Sequence, residues 1–229
     1  LEDAIRRMPA LENAGIQTFF CGPESFTQDD RYHLGAAPEL EGLFIAAGMN
    51  SIGVQSAGGV GRTMASWIVD GHPPGDFNGV DIRRNLPFMR NCKYLHDRVS
   101  ETLGLLYAVH YPFYQYKTSR NLRRTPLHGH LEKLGACFGE TSGWERANWF
   151  APEGVKPEYE YSYKRQNWFQ YNAAEHINVR EKVGIFDQTS FAKFRVQGRD
   201  AMKVLNNISA NDVDVEPGRL VYTQWLNER

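Results

Sequence analysis

The chain has 229 residues, with 26 Lys plus Arg against 27 Asp plus Glu, a formal net charge of -1 and 41% hydrophobic residues. That composition supports a packed core and argues against wholesale disorder. Balanced charge without a basic block gives no electrostatic footprint for nucleic acid, and no apolar run reaches the ~20 residues that a membrane span needs. Cys21, Cys92 and Cys137 are far apart, odd in number and without a C-x-x-C pair. Neither a disulfide framework nor a structural zinc site is therefore expected, and a reducing compartment is the simplest reading. Both ends read as cut, because the chain opens at Leu1 and closes at Arg229 directly after the strand-like run Leu220 to Leu226.

In chain order, Leu1 to Met8 reads as a short helix with Leu1, Ala4, Ile5 and Met8 on one face, stopped by Pro9. A turn-rich stretch follows, and then Leu43-Phe44-Ile45-Ala46-Ala47, which reads as a buried strand. The densest signal is the glycine-rich run from Gly48 to Gly61. Beyond it Val60, Met64, Trp67 and Ile68 recur at helical spacing, so a helix is expected from Gly58 to Val69, stopped by Gly71 and Pro73-Pro74. Strand, glycine-rich loop and helix together can bring backbone N–H groups close to an electron-rich ligand. The spacing is neither the G-x-G-x-x-G fingerprint nor a Walker loop. Two readings stay open for Gly58, Gly59 and Gly61: tight packing of helix on sheet, or a cofactor contact.

Lys93 to Leu106 reads as a helix with Leu95, Val99, Leu103 and Leu106 on one side, followed by the aromatic cluster Tyr107, Tyr111, Phe113, Tyr114 and Tyr116. Arg120, Arg123 and Arg124 are expected as a solvated basic patch. His128-x-His130 with Glu132 could be drawn as a metal site, but the i, i+2 histidines face apart on a helix, so no metal is expected. Glu175 to Val183 reads as a helix capped by Gly184, and Lys193 to Gln197 as a half-buried strand. Asp200 is expected to N-cap a helix with Ala201, Val204, Leu205 and Ile208 on one face, and Pro217-Gly218 to turn into a final strand.

The motifs carry a resemblance. Gly22-Pro23-Glu24-Ser25-Phe26-Thr27, Gly42 to Asn50, Gly58 to Arg62 and Trp67 to Pro74 resemble, in order, the closing part of the flavin domain in the dimethylglycine and sarcosine dehydrogenase family. From Thr125-Pro126-Leu127-His128, through Gly143-Trp144-Glu145 to Gly184 to Phe191, the chain is similar to a glycine-cleavage T-protein-type aminomethyltransferase. The fold implied is α+β. Residues 1–80 would be the C-terminal part of a D-amino-acid-oxidase-like FAD domain, 81–124 a linker domain, and 125–229 the N-terminal part of a T-protein-like folate-binding domain.

The resemblance implies a flavin-dependent enzyme that oxidatively demethylates dimethylglycine or sarcosine and hands the one-carbon unit to tetrahydrofolate, in bacterial cytoplasm or mitochondrial matrix. FAD and tetrahydrofolate are the implied cofactors. The implied partners are a small N-methylated glycine and the rest of its own chain. Asn50, Ser51, Ile52, Gly53, Val54, Gln55 and Ser56 are the expected flavin contacts, with the helix N-terminus aimed at the pyrimidine edge of the ring. Phe191 and Tyr222 are the folate-pocket candidates, although Tyr222 could equally be core. Gln55 stands where related monomeric sarcosine oxidases carry a lysine for the substrate carboxylate, which puts carboxylate recognition by this loop in doubt. No catalytic residue is assigned, since the dinucleotide motif and the T-protein acidic residue are not in the chain. The chain by itself is expected to be inactive, with Leu43, Ile45, Met64 and Trp67 lacking partners. The alternative from another class is a non-catalytic interaction or assembly module that keeps the family folds.

Overall fold

The computed structural model describes residues 2–226, which fall into two compact units divided after Gly184. The first unit holds α1 (Glu2–Arg7), β1 (His33–Ala36), β2 (Phe44–Ala47), α2 (Gly53–Asp70), α3 (Cys92–Leu105), α4 (His128–Lys133), β3 (Ala136–Thr141), β4 (Trp144–Phe150) and α5 (Phe169–Glu181). The second holds α6 (Ala201–Ile208). Helices and two antiparallel hairpins make the chain α+β. The part of the first helix expected at Leu1 lies outside the described residues, and α1 gives way at Pro9 to a 3-10 turn.

Near the N-terminus the core is Leu34, Met64 and Trp67, with Tyr32, Phe44, Met49, Val60, Phe77 and Val80 packed around them. β1 pairs antiparallel with β2, His33 opposite Ala47 and Ala36 opposite Phe44. Gly35 lies at φ +110, and a Cβ there would come within 2.6 Å of the Trp67 ring, so the bare backbone lets the indole approach the strand closely. Met64 and Trp67, expected to lack partners, are therefore buried. The partner is β1, a strand hidden in the sequence by its Gly-Ala composition. β2 is no buried strand: Phe44 and Ile45 are half-buried, Ala46 and Ala47 are exposed.

On α2 one expectation fails and one open reading is decided. It begins at Gly53, five residues before the expected start, and ends as expected on Gly71 in the left-handed conformation. Gly58, Gly59 and Gly61 sit inside it with nothing within 4 Å of the space a Cβ would take. They therefore pack no helix on sheet. The apolar side chains on the opposite face hold the helix despite a cost of ~1 kcal/mol for each interior glycine.

α3 spans the expected residues but is rotated from its expected phase. Tyr94, Arg98 and Thr102 are buried, whereas Leu103 is exposed. The buried charge is paired: Arg98 donates to Glu140 at 3.0 Å and to the Thr118 carbonyl at 2.9 Å, and its guanidinium lies 4.3 Å from the Tyr116 ring centre. Charge pairing and cation–π contact thus outweigh the leucine stripe. β3 and β4 close through Ser142 and Gly143, both at positive φ as a type I′ turn requires, with a register shift at Cys137/Phe138. Behind them Cys137, Trp149 and Ala151 form a second core with Val155, Tyr159, Trp168 and Tyr171. Burial pushes the Cys137 thiol up to about 11, so it serves as a core residue.

The expected basic patch is dismantled. Arg120 forms a bidentate pair with Glu145, which is 2% exposed, Arg123 lies over Trp144 at 4.2 Å, and Arg124 bonds Asn121. His128 is buried and stacked on Phe138 at 4.1 Å, while His130 is exposed. α5 starts at Phe169, and its C-cap is Lys182 in place of Gly184. The gain at its start is Tyr171, stacked on Trp149 at 5.7 Å.

In the second unit α6 lies where expected, but Asp200 makes no capping bond because its carboxylate pairs with Arg199. No residue of α6 is buried. The strands expected at 193–197 and 220–226 do not form among the described residues, apart from an isolated antiparallel bridge between Ser209 and Trp225. Alternation alone makes no strand without a ladder partner. The Pro217-Gly218 turn is present, with Gly218 at φ +91 and a bond from Arg219 N to the Glu216 carbonyl.

Candidate cofactor site

The segment between β2 and α2 turns through left-handed residues: Gly48 at φ 68, Asn50 at φ 47 and Ser51 at φ 63. Two of them carry side chains, which marks a held conformation. Asn50 is wholly buried. Its Oδ1 accepts from Thr27 N at 2.8 Å, its Nδ2 donates to the Gly48 carbonyl at 2.8 Å, and its own N–H donates to the Ser25 carbonyl at 3.1 Å. Ser51 faces outward and donates to Glu24 at 2.6 Å.

At Ile52 the chain enters α2 with no side-chain cap. The first intrahelical bond runs from Ser56 N to the Ile52 carbonyl at 3.1 Å, which leaves the N–H groups of Gly53, Val54 and Gln55 without an intrahelical acceptor. Val54 is 97% exposed and Gln55 is also exposed. Ser56 is half-buried and shares a short hydrogen bond with the Tyr32 hydroxyl. A Cβ on Gly53 would lie 3.1 Å from that of Met49, so this position has little room for a side chain. Positive dipole, open amides and accessible backbone suit an electron-rich edge of a ligand.

Of the residues named from sequence, Gly53, Val54, Gln55 and Ser56 thus form the first turn of a helix rather than a loop, and Asn50 turns its side chain inward. The seven are brought together as one turn. Sequence reasoning missed Thr27, Tyr32 and Thr102, which hold it from outside. Thr27 and Tyr32 stand in a stretch without periodicity, and Thr102 is a polar residue within a helix read by its leucines.

Phe191 and Tyr222 lie in the second unit, 54% and 89% exposed. Tyr222 is thus not core in the described residues. Its backbone carbonyl accepts from Asn211 Nδ2 at 2.7 Å. The strand end at Asn227 lies outside the described residues.

Residues 70–125 match the FAD dependent oxidoreductase central domain, and residues 127–229 match the GCVT N-terminal domain. The chain belongs to the family of sarcosine and dimethylglycine dehydrogenases. It is 48% identical over 222 residues to 4-methylaminobutanoate oxidase (formaldehyde-forming) of Paenarthrobacter nicotinovorans, covering 97% of this chain and 27% of that protein. It is 37% identical over 254 residues to human mitochondrial sarcosine dehydrogenase, covering 100% and 28%. It is 34% identical over 233 residues to the mouse mitochondrial pyruvate dehydrogenase phosphatase regulatory subunit, covering 100% and 26%. The chain therefore spans about a quarter of the length of these curated relatives. FAD and folate are the cofactors of the two domain types, as the motifs led one to expect. No helix among the described residues is long and apolar enough to cross a membrane.

Proposed function

We propose that the chain is an internal part of a flavin-dependent dehydrogenase that oxidatively demethylates an N-methylated glycine, dimethylglycine or sarcosine, and passes the one-carbon unit to tetrahydrofolate. The observation that carries this reading is that the oxidoreductase and GCVT matches follow each other within one chain. Removing a hydride from an N-methyl carbon leaves an electrophilic iminium, which water converts to formaldehyde unless an amine carrier is close. A folate-binding unit on the same polypeptide supplies that carrier.

In this reading residues 1–80 close a D-amino-acid-oxidase-like FAD domain, 81–124 are the linker domain and 125–229 begin the aminomethyltransferase. When bound, FAD supplies the hydride acceptor. The segment Asn50 to Ser56 would hold its ring, and the amides of Gly53, Val54 and Gln55 would offer donors to negative charge at the pyrimidine edge. Phe191 and Tyr222 offer ring faces to the pterin. Gln55 can hydrogen-bond a carboxylate but adds no charge to hold it. That feature, with the 48% identity to 4-methylaminobutanoate oxidase, extends the substrate class to amino acids whose carboxylate lies further from the methylated nitrogen. The compartment is bacterial cytoplasm or mitochondrial matrix.

A second reading is a non-catalytic assembly module, favoured by 34% identity across the whole chain to a regulatory subunit. Anaerobic titration of the full-length protein separates the two. Bleaching of a flavin band by sarcosine, dimethylglycine or 4-methylaminobutanoate supports the enzyme, and a protein that purifies without flavin and binds none supports the module. Gly53→Val is expected to weaken flavin retention or reduction, and normal behaviour of that variant would refute the placement of the turn at the ring.

A further inference from the structure

Asn50 is buried and its amide is spent on its own neighbours, so its side chain holds the turn and does not reach outward. Its main support is Thr27, 4% exposed, whose N–H and hydroxyl both lie against the Asn50 amide, the N–H at 2.8 Å. Thr27 is in turn held from a distant element. Thr102 of α3 is wholly buried, and its hydroxyl lies 3.1 Å from the Thr27 carbonyl and 3.1 Å from the Val99 carbonyl of its own helix. A hydroxyl has one proton. The Val99 carbonyl already receives the α-helical bond from Leu103 N–H, so the proton is needed at Thr27. A support must itself be fixed, and α3 is: one turn earlier, Arg98 is locked to Glu140 and to the Thr118 carbonyl, and Glu101 accepts from Lys117 N and Thr118 N at 2.8 Å each.

We propose that Thr102 is a positioning residue: through Thr27 and Asn50 it fixes the left-handed turn at Asn50-Ser51 and so aims the open first turn of α2. Nothing else in the sequence of α3 marks Thr102. It stands beside the leucine stripe, three residues after Val99 and four before Leu106, where a helix face turned toward a core ordinarily carries an apolar group. For the ligand the inference rests on the flavin reading above, and for the turn it rests on the hydrogen bonds alone.

The test uses the full-length protein with Thr102→Val, Thr102→Ser and Asn50→Gly. Val keeps the shape and removes the proton donor, leaving the Thr27 carbonyl buried and unpaired, and Ser restores the donor. Gly keeps the left-handed backbone and removes the amide. Amide exchange is followed in peptides covering 50–56 and 92–105, and FAD retention on dilution is measured in parallel. Faster exchange at 50–56 in Thr102→Val, with 92–105 still protected and Thr102→Ser close to wild type, is the expected result, with about tenfold weaker FAD retention. If Thr102→Val loosens α3 as well, Asn50→Gly decides by the same exchange readout at 50–56. Unchanged protection of 50–56 in folded Thr102→Val and Asn50→Gly overturns the inference. A loosened turn with unchanged FAD retention upholds the role of Thr102 and overturns the placement of flavin there.

Discussion

Hairpin β3–β4 and the segment from Ile185 to Leu226 both alternate aromatic or aliphatic with polar residues, and they end in opposite states. In the hairpin Trp149 is 1% exposed, whereas Ile185 and Leu220 are 94% and 97% exposed. Residue type does not separate them. What separates them is that each inward group of the hairpin meets a partner supplied by another segment of the same unit: Tyr171 on Trp149, Arg120 on Glu145, Arg98 on Glu140. α6 has an apolar face as clear as any in the chain, yet no residue of it is buried. Periodicity states which residues are suited to burial, and the presence of a partner decides whether they are buried.

The largest expected effect breaks that comparison directly. Trp149→Ala removes a filled indole from the second core and should destabilise the first unit by about 3–5 kcal/mol. Tyr222→Ala and Val204→Ala in the second unit should change stability by no more than ~0.5 kcal/mol. Denaturant melts of the 229-residue chain, with exchange reporting each unit, give both numbers. Equal losses in the two units would show that the second has a core of its own. For Tyr222 and Phe191 the same Ala variants in the full-length protein should weaken tetrahydrofolate binding without lowering Tm, if the rings line the pterin pocket.

Next in size is the Arg120–Glu145 pair. Arg120→Ala leaves the buried Glu145 carboxylate without its charged partner, at a cost of about 3 kcal/mol near neutral pH. Burial alone would raise the Glu145 pKa, but hydrogen bonds from Arg120 and Asn121 N and the charge of Arg120 bring it below the usual glutamate range. A depressed folded value means that the stabilisation is present above the unfolded value and is lost as pH falls through the folded one. The stabilisation from this pair should therefore persist through the ordinary glutamate range and be lost only as pH falls through the depressed Glu145 value. In Arg120→Ala burial is opposed chiefly by the Asn121 N–H alone, so protonation relieves more of the cost and the stability deficit should narrow on acidification. A deficit that is constant with pH would mean that Arg120 acts by packing rather than by charge.

What was legible in the sequence follows the same division. The end of α2 at Gly71, the Pro217-Gly218 turn and the position of α6 depend on local chemistry, and they stand as read. The phase of α3 did not, because Tyr94, Arg98 and Thr102 are buried by groups at Thr27, Thr118 and Glu140 that no periodicity connects to them. For the candidate site the location was legible and the roles were not. Glycine density pointed to the turn, but it also hid the start of α2, since Gly53 to Ala57 read as loop when the chain there is helical. That Asn50 faces inward depends on Thr27, reached only in three dimensions.

The smallest expected effect sharpens the comparison from the other side, at the exposed face of α2. A helix pays nothing in contacts for an alanine where a Cβ meets open space, and Gly58 and Gly61 both have nothing within 4 Å. Alanine lowers the backbone entropy lost on folding, so in the 229-residue chain each substitution should stabilise by about 0.5–1 kcal/mol. Val54 at 97% and Val69 at 82% exposure lie on the same side of the helix, at spacings of a whole number of turns, and make that face apolar as well as smooth. In the full-length protein the sign of the change is therefore informative. A gain in both forms means that the glycines face solvent in both. A gain in the 229-residue chain with a loss in the full-length protein means that another segment packs closely on this face and needs the missing Cβ atoms. Thermal melts of the paired variants read the difference, and a loss already present in the 229-residue chain would contradict the open geometry of α2 itself.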